Sequence, residues 1–472
     1  MILRYTALFA LALLCCFTKI QASVIEVPSQ SSTIREAVDQ CLPGDTILIS
    51  PGIYTENILV NRPVIIGSLY LTTGDTAYAG QTIVDGGGES VFSLTGYEGE
   101  STRIAGLTIR NGDDGIMAAA PMDLERCIIT ACEDGIDYET GGAGTCRYNL
   151  FHHNTDDAID LDGTLGTLLI EFNMIRDNED DGIETRLHRH QGEPTFCLIA
   201  GNVIRGNGED GIQFIDYADT SHRVYRLERN LIHDNAMAGI GCMDEGDTRE
   251  DYRAAPIPEP IHLFNNTISG HVYGLTGGAN LLAVNNLFLA SSESGIKGLT
   301  GQSILSHSLF HQNQRNLEDT GIPHRELLFK NPLLDPQFIP DPGSPCIDRG
   351  TPILMVNGDT LLYIPEEDFT GTAPDIGALE SGYTASRRPT PPEAELAALP
   401  NPFGDFLTVR QSGSLPLENF CLRIWNRNGI LMAEKSPDQF PFRFDTSEIP
   451  AGLYLMEIQG KKVYKSLKII KL

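Results

Sequence analysis

Residues 149–160 read NLFHHNTDDAID, residues 173–184 NMIRDNEDDGIE and residues 202–213 NVIRGNGEDGIQ. They are three versions of one phrase: Asn, two apolar residues, a basic residue, a second Asn, an acidic pair, a small residue, Ile and a polar residue. A phrase that returns every two to three dozen residues marks a stacked solenoid. With the small residue before Ile or Leu as marker, the series is Gly115, Gly135, Ala158, Gly182, Gly211, Gly239, Gly274 and Gly295. Successive markers are 20, 23, 24, 29, 28, 35 and 21 residues apart, so the rung is constant and its loops vary.

Each rung holds two short runs of Ile, Leu and Val split by Asn, Asp and Gly, which predicts strands and turns. No run has the length and 3.6-residue period of a repeated helix. Asn149, Asn173, Asn202, Asn230 and Asn286 stand nine positions before their markers; Asn111, Asn154, Asn178, Asn207 and Asn235 stand four before. Asn tolerates left-handed turns, and stacked amides hydrogen-bond from coil to coil. The pattern resembles the right-handed parallel β-helix, the pectin-lyase-like fold, over residues 24–330. That resemblance implies an all-β solenoid and says little about chemistry. It places Ile116, Ile136, Ile159, Ile183, Ile212 and Ile240 in one internal column.

Residues 1–22 carry Arg4, an apolar run and Ala22 as a cleavage residue, which reads as a secretory signal. No later stretch is apolar enough to span a bilayer, so the mature chain is expected to lack a transmembrane segment. Eight cysteines remain after the signal, scattered and without metal-ligand spacing. Buried free thiols are expected, although Cys127 and Cys146 lie on adjacent rungs. Residues 32–41 predict a helix: Thr33 with Glu36 makes a capping box, and Ile34, Ala37, Val38 and Cys41 share a face. Such a helix suits the open apolar end of a solenoid as a lid.

The body is assigned to residues 23–385. Within it, residues 331–380 (NPLLDPQF, GSPCIDRG, APDIGALE) resemble a closing segment of exported β-helix proteins and are expected to cap the C-terminal end. Residues 386–397, rich in Pro and charge, read as a linker. Residues 398–472 alternate like the strands of a small β-sandwich. Pro400-Asn401-Pro402, Asn428-Gly429, residues 450–454 (PAGLY) and the basic last strand closely resemble the type A C-terminal sorting domain of type IX secretion. The resemblance implies a Bacteroidota-type exporter as partner, and a secreted or outer-surface location.

The net charge is −29. The signal contributes +2 and residues 398–472 contribute +3, leaving −34 on the body between them. A body this acidic is not a nucleic-acid binder, and it repels acidic polysaccharide unless cations intervene. The charge is also ordered. At marker −1 stand Asp114, Asp134, Asp157, Asp181 and Asp210, and at −2 stand Asp113, Glu133, Asp156, Asp180 and Glu209. Coils about 4.8 Å apart turn these into columns of like charge. Each neighbour repulsion is worth about 1 kcal/mol in water and more when buried. Turn hydrogen bonds, the basic column at −6 (His152, Arg176, Arg205, His233) or bound Ca²⁺ are the candidate offsets.

Past the marker, strand alternation points Ile inward and the next residue outward. The outward, solvent-facing set is Asp137 and Glu139, then Asp160 and Asp162, then Glu184, Arg186 and His188, then Gln213. Asp137, Asp160, Asp162 and Glu184 offer the oxygen donors that suit Ca²⁺. Glu139, Gln213 and Tyr217 are candidate substrate contacts; Tyr138, Phe214, Tyr217 and Tyr225 are the aromatics available to stack sugars. Two function classes fit. One is a surface protein that binds extracellular polysaccharide through Ca²⁺ on the acidic face. The other is an enzyme of the uronic-acid lyase or epimerase type. There Arg186 neutralises the sugar carboxylate and His188 removes the C5 proton. Asn154-Thr155-Asp156 with Asp180-Asp181 also resembles polygalacturonase motifs, a glycoside hydrolase reading. The following Gly-His-Gly of that family is replaced by Gly208-Glu209-Asp210-Gly211.

Overall fold

The computed structural model describes residues 22–382, apart from 164–165, 218–220, 245 and 357–358. Further on it describes residues 396–399, 406–411, 421–426, 431–436, 442–450, 452–460 and 463–471. The signal stretch 1–21 and most of the linker (383–395) lie outside the described residues.

Three long parallel sheets wrap around one core. The first has 13 strands from Val24–Val27 to His324–Arg325; the second has 11, from Gly52–Thr55 to Leu309–His311. The third also has 11, from Ile58–Val60 to Arg315–Glu318. The chain visits first, second and third sheet in turn and then repeats, which is a parallel β-helix. In the third sheet Ile116, Ile136 and Ile159 are register partners, as are Ile183, Ile212 and Ile240. All six are fully buried. The second sheet turns Ile129, Phe151, Ile175, Ile204 and Ile232 inward in the same way.

Two polar ladders hold the coils in register. Backbone and side-chain N–H of Asn149 both donate to Asn173 Oδ1, at 2.9 and 3.1 Å. The same pair of bonds runs on through Asn202, Asn230, Asn266 and Asn286. A second ladder links Asn154, Asn178, Asn207 and Asn235. The left-handed backbone falls on Asn111, as expected, but elsewhere at other positions. It is adopted by the residue before each of several ladder asparagines (Tyr148, His153, Phe172, Asp177, Arg229 and Asp234). These asparagines therefore serve for their amides, which satisfy buried donors that water cannot reach.

The helix is Ile34–Gln40, with Thr33 Oγ1 accepting from the Glu36 N–H at 3.1 Å and Glu36 reaching back to the Ser32 N–H. Its apolar face joins the core of the first coils. Seven free cysteines of the described chain are buried and Cys421 is partly exposed, so Cys127 and Cys146 are not bridged.

Residues 331–380 do not simply close the end of the solenoid. They lie along the flank of the last coils. Leu354 and Leu362 pack on Phe264, Leu282 and Val284, while Cys346 and Ile376 pack on Leu287, Leu289 and Leu309. The outward residues of those coils are apolar, so they need a cover that a polar coil does not. The C-terminal region has a three-stranded and a four-stranded antiparallel sheet around Leu407, Val409, Ile424, Phe444, Met456 and Ile458. Its first strand, Leu396–Leu399, begins inside the stretch read as linker.

Candidate functional site

The third sheet carries the acidic face. Its outward row runs Met117, Asp137, Asp160, Glu184, Gln213, Gly241, one residue per coil. Alternation puts them outside the coil, yet Asp160 is 6 %, Glu184 3 % and Gln213 0 % exposed. The expectation of a solvent-facing row is corrected for these three. Arg186 lies over Asp160 and Glu184.

The Arg186 guanidinium lies 2.6 Å from Glu184 Oε1, 3.6 Å from Asp160 Oδ2 and 3.7 Å from Asp162 Oδ1. His188 Nε2 is 2.9 Å from Asp162 Oδ1, and its ring packs on Tyr217 with centroids 4.4 Å apart. Glu139 is half-buried near Asp137, whose carboxyl it perturbs. Tyr138, Phe214 and Tyr225 are core residues, which removes them as sugar platforms and leaves Tyr217. Their strand positions alternate inward, so the correction was available from the period itself.

Beside this group runs the aspartate column. Asp134 accepts the Asp157 N–H at 3.0 Å, Asp157 that of Asp181 at 2.8 Å, and Asp181 that of Asp210 at 2.6 Å. Asp210 accepts from Ala238 N–H at 2.6 Å. One oxygen of each carboxylate is thus used in the turn. The basic column offsets none of this among the described residues. It lies on the second sheet, where Arg176 pairs with Asp177 and His233 with Asp234.

The remaining oxygens converge. Asp157, Asp160 and Glu184 bring carboxylate oxygens within 4.8 Å of one another, and Asp156, Asp157 and Asp180 form a second such group. Asp160 Oδ1 is buried without a hydrogen-bond partner, and both polar atoms of the Gln213 amide are too. Burial, then the charge of Glu184, pushes the Asp160 pKa up to about 9 against the pull of Arg186. Burial and Asp156 raise Asp134 to about 8; burial and Glu139 raise Asp137 to about 7. Asp157 is raised well above the carboxylate range by burial and then by Asp181, and Asp181 by burial and then by Asp210. For Arg186 burial opposes the charge, but Glu184, Asp160 and Asp162 outweigh it and hold the cation.

The converging set differs from the four residues expected to bind Ca²⁺. Asp160 and Glu184 belong to it; Asp162 is engaged by His188, and Asp137 stands one coil away from Asp160. Asp157 belongs to the −1 column, for which turn hydrogen bonds and bound Ca²⁺ are both open; it takes the turn bond with one oxygen and brings the other to the converging group. A group outside the repeat also bears on the column: Glu250, from the loop between the Gly239 and Gly274 markers. It is buried, accepts from the Tyr252 N–H and from Thr276 Oγ1, and crowds Asp210. All donors in the converging group are hard carboxylate oxygens, able to hold a metal ion.

A family model described as a right handed beta helix region matches residues 93–252, and one described as a secretion system C-terminal sorting domain matches residues 397–472. None of the curated proteins compared with the chain matches it. Among solved structures, the A-module of mannuronan C-5 epimerase AlgE6 from Azotobacter vinelandii is similar at 13 % identity and TM-score 0.37, covering 61 % of this chain and 91 % of that one. XylC in complex with xylose is similar at 10 % identity and TM-score 0.41, covering 66 % and 87 %. The catalytic unit of an α-1,3-glucanase from Streptomyces thermodiastaticus follows at 14 % and 0.36, covering 62 % and 61 %. Likeness at this level carries no argument. The chain is a right-handed parallel β-helix protein with a type IX secretion sorting domain at its C-terminus, a signal for export to the outer surface or the medium.

Proposed function

We propose that the exported β-helix binds an extracellular polysaccharide on the outer face of its third sheet, with Ca²⁺ held by Asp157, Asp160 and Glu184. The observation that carries this reading is the convergence of three buried carboxylates beside an Asp160 oxygen and a Gln213 amide that lack partners. A buried polar group left unpaired costs about 1–3 kcal/mol, and a cation removes that cost. Bound Ca²⁺ also supplies positive charge to a face that otherwise repels uronates. Tyr217 and His188, half-exposed and packed together with rings tilted 32°, offer an aromatic rim for a sugar ring, with Glu139 and Asp162 as hydroxyl acceptors.

A second reading, a lyase or epimerase, is favoured by one observation. His188 is held by Asp162 as a general base is held by an orienting carboxylate. Against it, Arg186 already faces three carboxylates and has little capacity left for a substrate carboxylate. The test is a panel of uronic-acid polymers with Ca²⁺ or chelator, following binding and unsaturated-product absorbance together. Ca²⁺-dependent binding without product is the expected result. Binding that Ca²⁺ does not strengthen over chelator, or a Ca²⁺-dependent increment that Asp160→Asn leaves intact, overturns the proposal. Product formation that His188→Ala abolishes would establish the enzyme reading instead.

A further inference from the structure

The second sheet presents a different surface. Its outward positions form two rows along the coils. One is apolar: Ile128, Leu150, Met174, Val203 and Leu231, all partly exposed. The other is the basic row His152, Arg176, Arg205 and His233. Beyond Leu231 the apolar row continues as Thr267, Leu287 and Leu309, but there the flank segment covers it. At the near end the 3-10 helix Thr76–Gln81 covers Thr108 through a bond to the Ala79 carbonyl. At the far end Phe338 packs against His233. What lies between is an uncovered trough five strands long, roughly 19 Å at the ordinary strand spacing.

An aromatic wall runs along it. Tyr148 and Phe172, 41 % and 51 % exposed, stack with centroids 5.3 Å apart and planes 10° from parallel. The Arg126 guanidinium lies 4.3 Å from the Tyr148 ring. Both rings sit at left-handed backbone positions, φ 58° and 56°, which bulky residues seldom adopt. A cavity of about 450 Å³ opens between this wall and Leu150. Among the described residues neither Arg126 nor Arg205 pairs with a carboxylate, in a chain of net charge −29. Cations left unpaired on an acidic molecule, beside exposed apolar and aromatic surface, call for an anion with an apolar side.

We infer that this trough is a second binding site, independent of the acidic face and of any metal, for an anionic polysaccharide. Pyranose rings offer C–H faces to the Leu150, Met174 and Tyr148 surfaces, and their carboxylates pair with Arg126 and Arg205. Peptide is disfavoured because the strands here are paired on both sides, leaving no edge for a strand to join. A bilayer is disfavoured because the floor is recessed between the 76–81 helix, the aromatic wall and the flank segment.

The experiment is calorimetric binding of oligogalacturonate hexamer to the full chain in chelator, which silences the acidic face and keeps the two proposals separable. Micromolar to millimolar binding is expected, weakening at least tenfold between low and 0.5 M salt. Arg126→Ala with Arg205→Ala should weaken it tenfold or more. Phe172→Ala should weaken it severalfold with an unchanged melting temperature, and Arg→Lys at both positions should retain most of it. Asp160→Asn should leave it unaltered. No binding in chelator, binding indifferent to the arginines, or equal affinity for polyglutamate or for anionic vesicles overturns the inference.

Discussion

The Asp181 carboxylate accepts the backbone N–H of Asp210, one coil along, at 2.6 Å. The same bond recurs up the column, so each aspartate serves a turn with one oxygen and leaves the other facing its acidic neighbours. The arrangement is stable only if charge is withdrawn from the second oxygen. Protons and cations are the two agents able to do it.

Protonation makes a pH prediction. The folded pKa values of Asp160, Asp134 and Asp137 are raised to about 9, 8 and 7. A raised folded pKa means the native state holds protons that the unfolded chain has released. The stability this contributes is fully present below pH about 4 and is lost as pH rises through about 7 to 9. In chelator the melting temperature should therefore fall steadily from pH 5 to pH 9. Asp160→Asn should flatten the upper part of the curve; a melting temperature that rises over that interval would refute the protonated column.

Cation binding makes another. Ca²⁺ that binds only the folded state stabilises it by about 2.7 kcal/mol at a hundredfold excess over Kd. Millimolar Ca²⁺ should raise the melting temperature most at high pH, where the carboxylates are free to ligate. Asp160→Asn or Glu184→Gln should remove most of the increment. Equal melting curves in Ca²⁺ and chelator for the native chain would sink the metal site.

Arg186 separates an internal counterion from a substrate-binding cation. Its removal leaves Glu184 and Asp160 without their positive neighbour, a loss on the order of 1–3 kcal/mol for a pair that is largely but not wholly buried. Arg186→Gln should accordingly lower apo stability while tightening Ca²⁺ binding. A variant as stable as the native chain, with Ca²⁺ affinity unchanged, would show that the guanidinium answers to a ligand and not to the column.

The sorting domain has a direct test. Deleting residues 398–472 should leave the β-helix folded and retained in the periplasm, measured by cell fractionation and melting. Undiminished secretion of the truncated chain would show that another segment directs export.

Much of this was legible in the sequence. The phrase around Ala158, Gly182 and Gly211 carries the fold because the inward Ile column and the amide ladders repeat with it. The outward row is legible as a direction but not as an environment. Nothing local to Glu184 or Gln213 announces that both are buried, or that Arg186 pairs with Glu184. Asp157 is obscured for a different reason: a turn aspartate and a ligand aspartate are spelled identically. Glu250 lies 40 residues from its neighbour Asp210 and belongs to no repeat, so only the folded loop brings them together.

The Asn149-to-Asn286 ladder has a consequence for how such a molecule can change in length. Every link is the same pair of bonds to the next coil, whatever loop intervenes: 24 residues separate Asn149 from Asn173, and 36 separate Asn230 from Asn266. A coil is therefore an interchangeable unit bounded by two asparagines. Excising residues 173–201 would hand Asn149 the acceptor Asn202 in place of Asn173, with Ile136, Ile159 and Ile212 left to restack. Stability should then drop by roughly one coil's share, as in other repeat proteins, and the surfaces on either side of the splice should survive as shorter versions of themselves.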